Sequence, residues 1–213
     1  GEFRGWGIPA EKLHPLGIPV RQQFRDAADR DAERRRLGLD PARQYLLLSG
    51  GSIGCGSLAQ VVAQLRRELK PEQTMIVICG NHQRLFQRLS RLYSGDAQVQ
   101  LLQSTPHMAS YMRACDVFFT KPGGLSSTEA AVMEVPLVHL APIPGCETHN
   151  VKFFASHGMS LPAWKHPRRL RAGVRLISDS AAVSAMRQSQ HRVIPHHAAE
   201  EICSLLERMT REA

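Results

Sequence analysis

From Tyr45 onward, short apolar runs alternate with stretches whose apolar residues recur every three or four positions. Tyr45–Ser49, Met75–Cys79, Val99–Leu102, Val117–Thr120 and Leu137–Leu140 are strand-sized runs, most of them ending in glycine, proline or polar residues. Between them, Leu58, Val61, Val62, Leu65 and Leu69 keep helical spacing up to Pro71, and Leu85, Leu89 and Leu92 mark the next helix. Met108, Tyr111 and Met112, then Ser126–Met133, then Asn150–Ser156 predict three more. Strands separated by helices imply parallel pairing through right-handed crossovers. The pattern therefore predicts an α/β fold: a doubly wound parallel sheet of about six strands with helices on both faces. The tail, Ser180–Met186 and His196–Met209, reads as amphipathic helix packed across one side. Gly17-Ile18-Pro19-Val20 gives the opening stretch an extended course that no helix can run through.

Composition narrows this picture. With 213 residues, 43% hydrophobic and 22% charged, the chain is long enough for one well-buried domain. Residues 1–24 read as a linker or an appended start, and residues 25–213 as the domain. No stretch approaches the ~20 apolar residues that a membrane helix requires. Five cysteines without a C-x-x-C pair argue against a disulfide framework and against zinc, and for reduced, structural thiols. The net charge of +8 draws the chain towards something acidic. Its densest cluster is Lys165-His166-Pro167-Arg168-Arg169-Leu170-Arg171 beside Trp164, either a membrane-facing patch or a solvated basic surface. Aromatics at 6%, none interleaved with a basic motif, speak against nucleic acid.

In a doubly wound sheet, ligands bind beyond the carboxyl ends of the strands. Three strands here end in unusual sequences. After Ser49 comes Gly50-Gly51-Ser52-Ile53-Gly54-Cys55-Gly56, which brings bare backbone and a helix N-terminus close to a ligand, as a phosphate cradle does. It lacks the Lys-Ser/Thr ending of a P-loop, which disfavours ATPase chemistry. The second is Lys121-Pro122-Gly123-Gly124-Leu125-Ser126-Ser127-Thr128-Glu129. Ser126 and Glu129 have capping-box spacing; the other reading of Glu129 is a carboxylate accepting two ribose hydroxyls. The third is Pro142-Ile143-Pro144-Gly145-Cys146-Glu147-Thr148-His149-Asn150, a rigid polar loop whose Glu147 and Asn150 could face one ligand together.

The strings Leu-Ser-Gly-Gly-Ser-Ile-Gly-Cys-Gly, Lys-Pro-Gly-Gly-Leu-Ser-Ser-Thr-Glu-Ala and Ala-Pro-Ile-Pro-Gly-Cys-Glu-Thr-His-Asn resemble the C-terminal domain of the diacylglycerol glycosyltransferases. These are the monogalactosyldiacylglycerol synthases and processive glucosyl-diacylglycerol synthases of glycosyltransferase family 28. The likeness runs over about residues 14–160, in order and with matching spacing. It implies the C-terminal half of a GT-B fold, a UDP-hexose donor, transfer of galactose or glucose to diacylglycerol with inversion, and no cofactor or essential metal. By the same likeness, Gly51, Ser52 and Gly54 face the diphosphate and Arg21 lies near the nucleotide. Gly124, Leu125 and Ser126 form the helix start that takes the phosphates, and Glu129 holds the ribose. Leu102 and Met108 fall near the uracil pocket, across an apparent two-residue insertion around Gln103–Pro106. Glu147 and Asn150 surround the sugar hydroxyls. Cys146 stands where relatives often carry glutamine, and a thiol is a poor partner for a hydroxyl, so the choice of sugar does not carry across.

The resemblance also implies an acceptor-binding, membrane-facing half ahead of Gly17, which would supply the general base and meet the lipid. It gives a peripheral position at the cytoplasmic face of a membrane, an isolated domain that is soluble, and no nucleic-acid partner. The catalytic residues are thus expected outside this chain, and its histidines are not that base. Other readings stay open: a UDP-N-acetylglucosamine-using transferase or 2-epimerase of the same architecture, or a non-catalytic UDP-sugar-binding module.

Overall fold

The computed structural model describes residues 2–26, 28–50, 58–164 and 167–211, with the side chains of Glu2, Arg4 and Pro167 left aside. Six parallel strands form one sheet: β1 (Gln44–Ser49), β2 (Gln73–Ile78), β3 (Val99–Leu102), β4 (Val117–Thr120), β5 (Leu137–His139) and β6 (Leu161–Pro162). Their order is β3-β2-β1-β4-β5-β6. Leu46, Leu47 and Leu48 in β1 and Met75, Ile76 and Val77 in β2 are all buried, because helices cover both faces of a parallel sheet and leave no side for water.

The helices are α1 (Glu2–Gly5), α2 (Arg30–Arg36), α3 (Leu58–Arg66), α4 (Gln83–Leu92), α5 (Met108–Ala114), α6 (Gly124–Val132), α7 (Cys146–Ser156), α8 (Pro167–Arg175), α9 (Ser180–Val193) and α10 (Ala198–Arg211). Most match the predicted periodicities. Apolar spacing did not reveal α2, whose sequence Arg-Asp-Ala-Glu-Arg-Arg-Arg carries almost no apolar signal. Polar contacts hold it: the Asp29 side chain caps its start by accepting from Ala32 N at 2.7 Å. Buried Arg34 donates to Ala114 O at 2.9 Å and pairs with Asp116 at 2.8 Å. The sixth strand was likewise invisible in sequence, being two residues long.

Alternation along the strands divides the sheet into two environments. On one face Phe119 and Val138 lie under α8, where a Cβ added to Gly173 would come within 2.8 Å of the Phe119 ring and 3.1 Å of Val138. On the other face, His139 meets Ser127 of α6, and α9 packs outside α6. The opening stretch has no helix or strand between Leu13 and Arg21, and it lies along the domain. Gly17 adopts φ +93° against Pro195, and Phe24 is buried in the core.

Candidate functional site

Strand register brings all six strands to a common carboxyl edge. Leu102, Ile78, Ser49, Thr120, His139 and Pro162 form one row across β3, β2, β1, β4, β5 and β6. The chain winds outward in opposite directions from β1 and β4, so these two neighbours flank the topological switch point where such sheets bind ligands. The Lys121–Gly123 turn after β4 opens on that crevice. Gly51, Ser52 and Gly54 lie outside the described residues.

α6 begins directly after that turn. Its N-cap is Gly123, which offers no side-chain cap, and Ser127 N donates to Gly123 O at 3.0 Å. The capping box expected of Ser126 and Glu129 is therefore incorrect: the helix starts two residues before Ser126, which places both residues inside it. A Cβ added to Gly124 would meet Ile18 Cδ1 at 3.5 Å and Asn150 Nδ2 at 3.8 Å, ordinary contact distances. Packing alone does not demand glycine there, whereas close approach of a ligand to the first N–H groups does favour it. Leu125, in the first turn, is 62% exposed.

Glu129 is half-buried one turn further on. Burial raises its pKa above the ordinary carboxylate value, and the nearby Arg21 charge acts in the opposite direction. Among the described residues no side chain hydrogen-bonds this carboxylate. Arg21 itself is exposed and stacks over Phe24, its guanidinium carbon 5.4 Å from the ring centroid.

The segment read as a third loop is partly helical. α7 starts at Cys146, so Cys146, Glu147 and Asn150 occupy its first turns instead of a loop, after an N-cap at Gly145 with φ +107°. Cys146 is exposed and unbonded to other cysteines. Glu147 is buried; its Oε1 accepts from Lys121 Nζ at 2.8 Å and its Oε2 from Ile143 N at 2.8 Å. Asn150 donates from Nδ2 to Pro122 O at 2.9 Å. Arg21, Gly124, Leu125, Ser126, Glu129, Glu147 and Asn150 thus gather around the start of α6. Leu102 and Met108 stand apart, at the end of edge strand β3 and the start of α5, both half-buried.

Two groups of polar residues escaped the sequence reading. Lys121 lies within a quoted motif, but nothing in its spacing announces a partner 26 residues away. His139, inside an apolar strand, is fully buried between Ser127 Oγ (3.0 Å from Nε2) and Ser160 Oγ (3.0 Å from Nδ1). Burial lowers its pKa from 6.5 to about 3, so the ring is neutral and bridges α6 to the segment before β6. Burial also pushes the thiols of Cys79 and Cys115 up, to about 11 and about 12, the inert state of structural cysteines.

Elsewhere, a groove of about 720 Å³ lies at the opposite, amino-terminal edge. In its lining Arg30 pairs with Asp116 and His191 with Glu134, while Arg187 donates to the Glu134 carbonyl. In the basic cluster, Arg171 forms a two-point ion pair with Glu68 at 2.7 and 2.8 Å, which spends part of the charge expected to face a partner. Among the described residues no group of three or more His, Cys, Asp or Glu side chains is placed to hold a metal, and no helix is long and apolar enough to cross a membrane.

Comparison with known proteins gives the family and the fold. The sequence profile of the glycosyltransferase family 28 C-terminal domain matches residues 45–197. A processive diacylglycerol beta-glucosyltransferase of Staphylococcus carnosus is 29% identical over 202 residues, 95% of this chain and 52% of that protein. The enzyme of the same name from Staphylococcus saprophyticus is 31% identical over 158 residues, 74% of this chain and 40% of its own length. The chain thus spans about half the length of these relatives or less. Among solved structures, MurG of Acinetobacter baumannii superposes with a TM-score of 0.69 at 20% identity, over 90% of this chain and 57% of that one. The UDP co-structure of S. aureus MnaA gives 0.73 at 11% identity, over 98% and 57%. At such identities these likenesses speak for the fold alone.

Proposed function

The chain belongs to the glycosyltransferase family 28 C-terminal domain family, and from that premise we propose that it grips the UDP-hexose donor of an inverting transferase whose acceptor is diacylglycerol. The observation that carries this reading is the uncapped start of α6 at the β1/β4 switch point, with Glu129 one turn behind it. Backbone N–H groups and the positive end of the helix dipole face the crevice there, which suits a diphosphate. Glu129, whose carboxylate takes no hydrogen bond from a side chain among the described residues, accepts the two ribose hydroxyls in this reading.

During transfer the lipid hydroxyl attacks the anomeric carbon and the bond to UDP breaks. Negative charge grows on the departing diphosphate, where preorganised donors stabilise most. The helix start supplies that stabilisation, with Arg21 adding positive charge nearby, so donor binding proceeds without a divalent ion. The general base and the lipid site belong to the other half of a GT-B enzyme. In this reading the whole protein works as a peripheral enzyme on the cytoplasmic face of a membrane. The relatives named as beta-glucosyltransferases favour glucose over galactose as the hexose.

Fold likeness does not by itself separate transferase from epimerase, because a UDP-N-acetylglucosamine 2-epimerase superposes with a TM-score of 0.70, about as well as MurG. Sequence favours the transferase, through the family match and the 28–31% identity to diacylglycerol glucosyltransferases. Titration of the isotope-labelled chain with UDP, followed by amide chemical shifts, tests the proposal. The Gly124, Leu125 and Ser126 amides should move first and saturably. Shifts confined to the opposite edge of the sheet would refute it.

A further inference from the structure

Lys121, the first residue after β4, has a role in neither the motif spacing nor the family resemblance. Its ammonium nevertheless makes a part-buried 2.8 Å ion pair with Glu147, whose other oxygen is held by the Ile143 N–H. On the next residue, Pro122, the carbonyl takes the Asn150 amide. Two consecutive residues are therefore tied to α7, one through its side chain and one through its backbone. The residue that follows is Gly123, the N-cap of α6, whose N–H donates to Lys121 O at 2.8 Å. The position of the first turn of α6 is thus set from α7 through three adjacent residues. Each oxygen of Glu147 thus already accepts one hydrogen bond from this framework.

We propose that Lys121, Glu147 and Asn150 form a latch that holds the start of α6 in register with the donor's phosphates. Lys121 is then a positioning residue, acting through Glu147 on the start of α6. The inference rests on the donor-binding reading above. Its physical basis is that helix N–H groups stabilise a diphosphate only when aimed at it, and small misplacements are costly. Removing one partner of this part-buried ion pair would also strand the other's charge, which is costly.

The test compares uridine, UDP and UDP-glucose binding to the 213-residue chain and to K121M, N150A and the charge-balanced double variant K121M/E147Q. Amide hydrogen exchange across α6 is followed in each. In K121M and N150A the preference for UDP over uridine should fall about tenfold. Uridine affinity itself should hold, and the Ser127 amide should exchange faster. K121M/E147Q should regain part of the loss, because no uncompensated carboxylate remains. A selective loss of UDP-glucose affinity, with UDP binding and α6 exchange unchanged, would overturn the latch. N150A retains the ion pair, so it answers the question even where K121M folds poorly. Failure of the wild-type chain to bind UDP would sink the donor-site reading, whereas unchanged α6 exchange in the variants would sink the latch alone.

Discussion

Glu129 is the residue on which the donor reading presses hardest. A carboxylate accepting both ribose hydroxyls makes charge-assisted hydrogen bonds of roughly 1.5–3 kcal/mol each. Glu129→Gln keeps the shape and removes the charge, so UDP affinity should fall at least about tenfold, ~1.4 kcal/mol. Because burial raises the folded-state pKa, the ionised carboxylate costs the folded chain stability above that pKa. The variant should therefore melt no lower than wild type at neutral pH. As pH drops through the raised pKa, wild-type affinity for UDP should decline relative to the variant, since protonation removes an acceptor. Calorimetry of both proteins with UDP and 2′-deoxy-UDP checks this: the variant should lose the preference for the ribose form. Equal UDP affinity in the two proteins would return Glu129 to a purely structural role.

At the scale of elements, the buried His139 ties α6 to the sheet and to Ser160. Its pKa is depressed from 6.5 to about 3, so the unfolded chain binds the proton more tightly than the folded one. The stability this group contributes is present in full above about pH 6.5 and drains away as pH falls towards 3. Chemical denaturation between pH 7 and 4 should show that slope, and a His139→Asn variant should flatten it while losing stability at pH 7. An unchanged slope would count against the buried neutral histidine. On the other face, Gly173→Ala would drive a methyl to within 2.8 Å of the buried Phe119 ring and lever α8 off β4. The expected cost is about 1–3 kcal/mol in urea unfolding; a neutral substitution would mean that α8 packs less tightly.

The sequence announced five of the six strands and most of the helices, because a parallel sheet covered on both faces demands uninterrupted apolar runs such as Tyr45–Leu48. It missed α2, whose stability lies in the Arg34–Asp116 contact 82 residues apart, and β6, too short for any periodicity. At the site, glycine and acidic positions were readable one by one. Their partners were not: the Lys121–Glu147 pair and the Ser127–His139–Ser160 bridge are tertiary facts. The supposed capping box failed because the N-cap is Gly123, three residues before Ser126, and Gly124 already begins the helix.

At the scale of the whole molecule, the chain carries one α/β domain and spans about half the length of its relatives or less. As it stands it should transfer no sugar from UDP-glucose to diacylglycerol in mixed micelles; glycolipid formed by this chain alone would contradict the assignment of base and acceptor site to the other half. Donor binding, however, should survive in isolation, since the crevice is built within one sheet. The most direct measurement is isothermal calorimetry of UDP into the 213-residue chain, with magnesium and with chelator. Saturable, weak binding of the same strength in both buffers is the predicted result. An absence of heat at millimolar UDP, or binding that appears only with magnesium, would contradict it.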